Sequence, residues 1–117
     1  MDNAILEKSK LFAIRTIKLY QFLYDEKHEY VLSKQLLRSG TSIGANCREA
    51  SRAQSSADFI SKFNIALKEA DETAYWLELL KETGFLDNKQ FQSIYTDIEE
   101  LIKILVTIIK TTKKNNS

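Results

Sequence analysis

Apolar residues return every three to four positions along nearly the whole chain, and no strand-like alternation persists anywhere. Short polar breaks divide the pattern into four stretches, which predicts four helices. The first, about Asn3 to Asp25, sets Leu6, Ala13, Ile17, Tyr20 and Tyr24 on one side with Ile5, Phe12 and Leu23 flanking them. That side is expected to face the core. The opposite side carries Lys8, Leu11, Arg15, Lys18 and Phe22, a mixed surface. A charged cluster from Asp25 to Glu29 marks the first turn and contains His28, the only histidine.

The second stretch, about Glu29 to Ala53, reads differently because 13 of the 19 residues from Ser39 to Ala57 are Gly, Ala, Ser, Thr or Cys. On a helical wheel Leu32, Leu36, Ile43 and Ala50 share one side with Cys47 close by, a sparse stripe for the core. Ser33, Gly40, Gly44 and Ser51 share a second side, where the lack of bulk would admit another backbone. Ser39, Ser42, Asn46 and Glu49 make a polar third side. Lys34, Arg38, Arg48 and Arg52 fall within about 80° of one another on the fourth, spread over roughly 27 Å. Two glycines cost a helix about 1 kcal/mol each relative to alanine, so a loop over Ser39 to Gly44 is the alternative to a single helix. The unbroken phase of the wheel across the glycines favours the helix.

The third stretch opens on Ser55 as N-cap with Asp58 three residues on, and Gly84 closes it as a C′ residue. Phe59, Phe63, Ala66, Ala70, Thr73, Leu77 and Leu80 recur in a heptad-like seam. A second row, Ile65, Glu72, Trp76 and Leu79 with Glu69 alongside, is more than a simple bundle needs. It reads as a protein interface or as additional internal packing. The fourth stretch starts at Asp87 as N-cap with Gln90 three residues on, and runs through Phe91, Ile94, Tyr95, Ile98, Leu101, Ile102, Leu105, Ile108 and Ile109. Residues 1–112 form one domain on this reading, an all-α, antiparallel up-down-up-down four-helix bundle, and 113–117 a frayed polar tail.

Length and composition fit this picture. The 117 residues are 44% hydrophobic and 28% charged, and the absence of proline favours long helices. The longest uncharged apolar run, Ile104 to Ile109, is far below the ~20 residues that span a bilayer, and the N-terminus lacks a signal-peptide pattern. A soluble cytoplasmic protein without membrane contact is expected.

The net charge is +1, but it is unevenly spread. From Tyr30 to Ala57 four basic residues face Glu49 alone, whereas from Asp58 to Asp87 seven acids outnumber three lysines. The basic row could follow a nucleic-acid backbone, because arginine forks onto phosphate and releases counterions. It could equally meet the acidic third helix. Paired carboxylates at Glu69 and Glu72, with Glu49 nearby, could do acid–base work but are expected in salt bridges with Arg38, Arg48 or Lys62. A lone Cys47 and a lone His28 provide no metal site, and no phosphate loop, dinucleotide fingerprint or triad spacing is present. No enzyme, cofactor, metal or small-molecule substrate is expected.

The segments QLLRSGTSIGANCREA and SSADFISKFNIALKEADETAYWLELLKETGFL, covering roughly Leu36 to Leu86, resemble the bacterial family of 23S rRNA intervening-sequence proteins. Arg38-Ser39, Ser42-Ile43, Asn46, Glu49-Ala50, Phe59-Ile60, Ala66 to Ala70, Glu72-Thr73 and Trp76-Leu77 carry the resemblance in order, while Cys47-Arg48 departs from it. The resemblance implies a continuous second helix and a four-helix bundle that assembles into a ring-like homopentamer. It also implies RNA or other nucleic-acid association. A related branch, the accessory variability proteins of diversity-generating retroelements, partners a reverse transcriptase and is more basic.

Two functional readings follow. The first is a non-catalytic, oligomeric, nucleic-acid-associated bundle using Lys34, Arg38 and Arg52, with Lys8, Arg15 and Lys18, against phosphate. The second is a protein-interaction scaffold, including a reverse-transcriptase accessory role. The expected oligomer interface is Ile65, Glu69, Glu72, Trp76 and Leu79 with Ser42, Asn46 and Glu49.

Overall fold

The computed structural model describes residues 3–115. Four helices follow one another, α1 (Asn3–Asp25), α2 (Leu32–Ala50), α3 (Ser56–Glu82) and α4 (Asn88–Asn115). They form a bundle of 48 × 21 × 20 Å in which each helix packs on the next and α4 returns to α1 by a sparser contact. Cross-helix pairs fix the directions. Thr16 lies at Gly40 and Ser9 at Gly44; Ser39 meets Thr73 and Glu49 meets Lys62. Tyr95 bonds Glu78, and Lys8 and Arg15 reach Glu100 and Asp97. Numbers rise on one helix as they fall on its neighbour, so every adjacent pair is antiparallel.

Local chemistry sets the ends. The Ser55 hydroxyl accepts from the Asp58 amide at 3.1 Å, and Asp87 and Gln90 cap each other's amides at 2.7 and 3.0 Å. Gly84 takes φ +87, which lets Phe85 N–H reach the Leu80 carbonyl at 2.8 Å and close α3. The start of α2 was not legible in this way. Its amides at Val31, Leu32 and Ser33 donate to the buried carboxylate of Glu29 at 2.7 to 3.3 Å. What reads as part of a charged turn is therefore the residue that satisfies the helix N-terminus.

α2 runs through both glycines without a break, which sets aside the loop over Ser39 to Gly44. It stops at Ala50 rather than Ala53, and Ser51 and Arg52 form the turn. α4 continues through Lys113, Lys114 and Asn115, where the sequence placed the start of a polar tail; the remainder of that segment lies outside the described residues.

The core contains Leu36, Ile43, Phe63, Leu77, Ile98 and Leu105, all fully buried. On α1 the expected core side is wrong. Ile5, Phe12 and Leu23 are buried, together with Ser9 and Thr16, while Ile17 and Tyr24 remain 40% and 42% exposed. The reason is the close approach of α2. A Cβ on Gly40 would lie 2.6 Å from Thr16 Cγ2, and one on Gly44 would lie 3.3 Å from the Ser9 backbone oxygen. Small polar residues of α1 fit against the glycine side of α2, which turns the Ile17–Tyr24 stripe outward. Ser39, expected on a polar side, is also buried, and its hydroxyl hydrogen bonds Thr73 at 2.8 Å.

Candidate nucleic-acid interface

Three of the basic residues expected to meet phosphate are engaged within the bundle. Lys8 pairs with Glu100 at 2.8 Å. Arg15 pairs with Asp97 at 2.6 Å and also donates to the Ser93 carbonyl at 3.0 Å. Both tie α1 to α4 across its loosest seam. Arg38 pairs with Glu69 at 3.1 Å and with Glu72, and the bond to Glu72 holds its guanidinium pKa above the usual value. Bonding to Glu100 likewise raises Lys8. Exposed pairs of this kind contribute about 0–1 kcal/mol, but each occupies the cation's charge.

The other cations divide in space. Lys18 lies with Arg15 and Lys89 in a groove between α1 and α4. Lys34, in the first turn of α2, shares the helical phase of Thr41 and Ala45 further along that helix, and Arg52 follows in the turn after Ala50. Arg48, Arg52 and Lys10 line an open groove of about 620 Å³ with Leu6, Ala13 and Thr41. Among the described residues, Lys10, Lys34, Arg48 and Arg52 have no ion-pair partner. The one acid at this groove, Glu49, is paired with Lys62 at 3.6 Å. The α1–α2 face is thus a basic surface whose charge is not already spent. Sequence reasoning groups Lys34 and Arg52 with Arg38 and Arg48 in one row on the second helix. It missed Lys10, whose neighbours Ala13 and Ile17 were assigned to the core.

Of the salt bridges expected for the acidic third helix, Arg38 and Lys62 make theirs, and Arg48 does not among the described residues. The carboxylates of Glu69 and Glu72 are therefore charge partners in this arrangement, with Trp76 Nε1 donating to Glu72 at 3.2 Å. The expected interface residues do gather on one side of the bundle. Ile65, Glu69, Glu72, Trp76 and Leu79 run along α3 beside Ser42, Asn46 and Glu49 of α2. Trp76 is half-buried rather than exposed, whereas Ile65 and the neighbouring Tyr75 are open to solvent. Ser42 and Asn46 bond carbonyls of their own helix, Arg38 and Ser42 respectively.

Burial pushes the Cys47 thiol up to about 11, so it stays protonated, as a small core residue should. Among the described residues no three His, Cys, Asp or Glu converge on a point that could hold a metal ion, and no buried side-chain polar atom lacks a partner. No described helix is long and apolar enough to cross a membrane.

Comparison with known proteins agrees with the four-helix fold. The family model described as 23S rRNA-intervening sequence protein matches residues 1–107. A crystal structure from Bacteroides thetaiotaomicron VPI-5482, of a protein with unknown function from the S23 ribosomal protein family, is 58% identical. It superposes with a TM-score of 0.90 over 91% of this chain and 98% of that one. No curated protein matches.

Proposed function

The chain belongs to the 23S rRNA-intervening sequence protein family, and from that premise we propose that it is a non-catalytic, homo-oligomeric, RNA-associated bundle acting in the cytoplasm. The α1–α2 face meets the phosphate backbone. The observation that carries this reading is the division of the cations: Lys8, Arg15 and Arg38 are neutralised by α3 and α4, whereas Lys10, Lys34, Arg48 and Arg52 share a face and keep their charge. Four charges per subunit are few, and repetition in an oligomer multiplies them along one strand. Titrating the protein with RNA near 50 mM and again near 200 mM salt tests it, because phosphate contacts weaken steeply over about that range. Binding at low salt that fades at high salt is expected. No binding at low salt would end the proposal.

A second reading, the interaction scaffold, is favoured by the outer side of α3, where Ile65 and Tyr75 are 40% and 54% exposed beside half-buried Trp76. In a ring each subunit offers two different patches to its neighbours, and this side of α3 suits one of them. The family resemblance implies a pentamer. Trp76→Ala is therefore expected to lower the solution mass toward that of a monomer, measured by light scattering. A variant that stayed fully assembled would remove α3 from the interface.

A further inference from the structure

The outward-turned stripe of α1 ends in an aromatic cluster that neither the core nor any ion pair uses. The rings of Tyr20 and Tyr24 lie 5.8 Å apart, and those of Tyr24 and Tyr30 lie 4.7 Å apart at 67°. Tyr24 and Tyr30 are 42% and 46% exposed. The turn holds them together: His28 takes φ +54, and its Nδ1 hydrogen bonds the Tyr30 hydroxyl at 3.1 Å. Four residues beyond Tyr30, in the first turn of α2, stands Lys34, which has no ion-pair partner among the described residues. Because Tyr24 and Tyr30 meet edge to face, the ring presenting its edge keeps both faces clear of its partner.

We propose that this face takes single-stranded RNA, with unpaired bases stacking on Tyr24 and Tyr30 while Lys34, Arg48 and Arg52 track the phosphates. The inference rests on the RNA-associated reading and narrows its ligand. A duplex keeps its bases stacked internally and offers an aromatic ring nothing to stack on, whereas a single strand offers a π-face at each nucleotide. Aromatic side chains beside a basic track are the general means of holding a strand without reading its sequence.

The test uses the full chain and two labelled RNAs of about 16 nucleotides, a uridine homopolymer and a blunt duplex, followed by anisotropy at low salt. The homopolymer should bind more tightly than the duplex. Replacing Tyr24 and Tyr30 together with leucine should weaken homopolymer binding by about tenfold or more and leave the duplex unchanged. Replacing both with phenylalanine should retain binding, because the rings remain. Equal binding of duplex and homopolymer, or leucine variants that bind the homopolymer like the parent, would overturn this inference and leave RNA association standing. A leucine variant with altered solution mass would also overturn it, by assigning the cluster to contact between copies. Failure of both RNAs to bind would remove the broader reading as well.

Discussion

Replacing Gly40 with leucine is expected to lower the melting temperature by about 10 °C or more, a loss of roughly 3 kcal/mol. Even the first carbon of any side chain there would sit 2.6 Å from Thr16 Cγ2 and 2.7 Å from its Oγ1. Thr16 cannot swing aside freely. It is fully buried, β-branched, and bonded through its hydroxyl to the Phe12 carbonyl at 2.9 Å. Gly40→Ala should cost less, since alanine returns about 1 kcal/mol of helix propensity against overpacking of about 1–3 kcal/mol. Adding Thr16→Ala should then recover part of that loss, an interaction that a thermal-unfolding double-mutant cycle would register. A Cβ on Gly44 would meet the Ser9 backbone oxygen at 3.3 Å, so Gly44→Ala should be much milder. A Gly40→Leu protein as stable as its parent would mean that α1 and α2 do not pack in this register.

The glycine contact also explains which parts of the fold were legible in the sequence. Caps at Ser55 and Asp87, the Gly84 stop and the α3 seam depend on residues near one another in the chain, and their types alone identify them. The rotation of α1 depends on two helices at once. Ser9 and Thr16 look like surface residues until they are set against Gly40 and Gly44, and only then does the more apolar stripe through Ile17 and Tyr24 turn outward.

Glu29 was hidden for a related reason. Its carboxylate reads as part of a charged turn, and its role appears only when three amides of α2 are seen to converge on it. The basic row was visible as a row, but a wheel does not show which neighbour a long side chain reaches. Arg38 leans to α3 and finds two carboxylates, whereas Arg48 and Arg52 border α1, where they line a groove with Lys10.

The same division yields the second large effect. Changing Lys10, Lys34, Arg48 and Arg52 together to glutamine is expected to abolish most RNA affinity at low salt. Each cation that contacts a phosphate of a single strand contributes about 0.7 to the salt slope, so losing four lowers it by up to about 2.8. Little stability should be lost, because these side chains have no ion-pair partner among the described residues. Changing Lys8, Arg15 and Arg38 to glutamine should do the reverse. Those cations hold α1 to α4 and α2 to α3, so the melting temperature falls while RNA affinity changes little.

The most direct test of the α1–α2 face is the dependence of RNA affinity on salt, measured on the parent and on these two glutamine variants side by side. The account predicts a steep slope for the parent and for the Lys8, Arg15 and Arg38 variant, and a nearly flat one once Lys10, Lys34, Arg48 and Arg52 are removed. A quadruple variant that kept the parent's slope, or a steep loss on removing the paired cations instead, would contradict it.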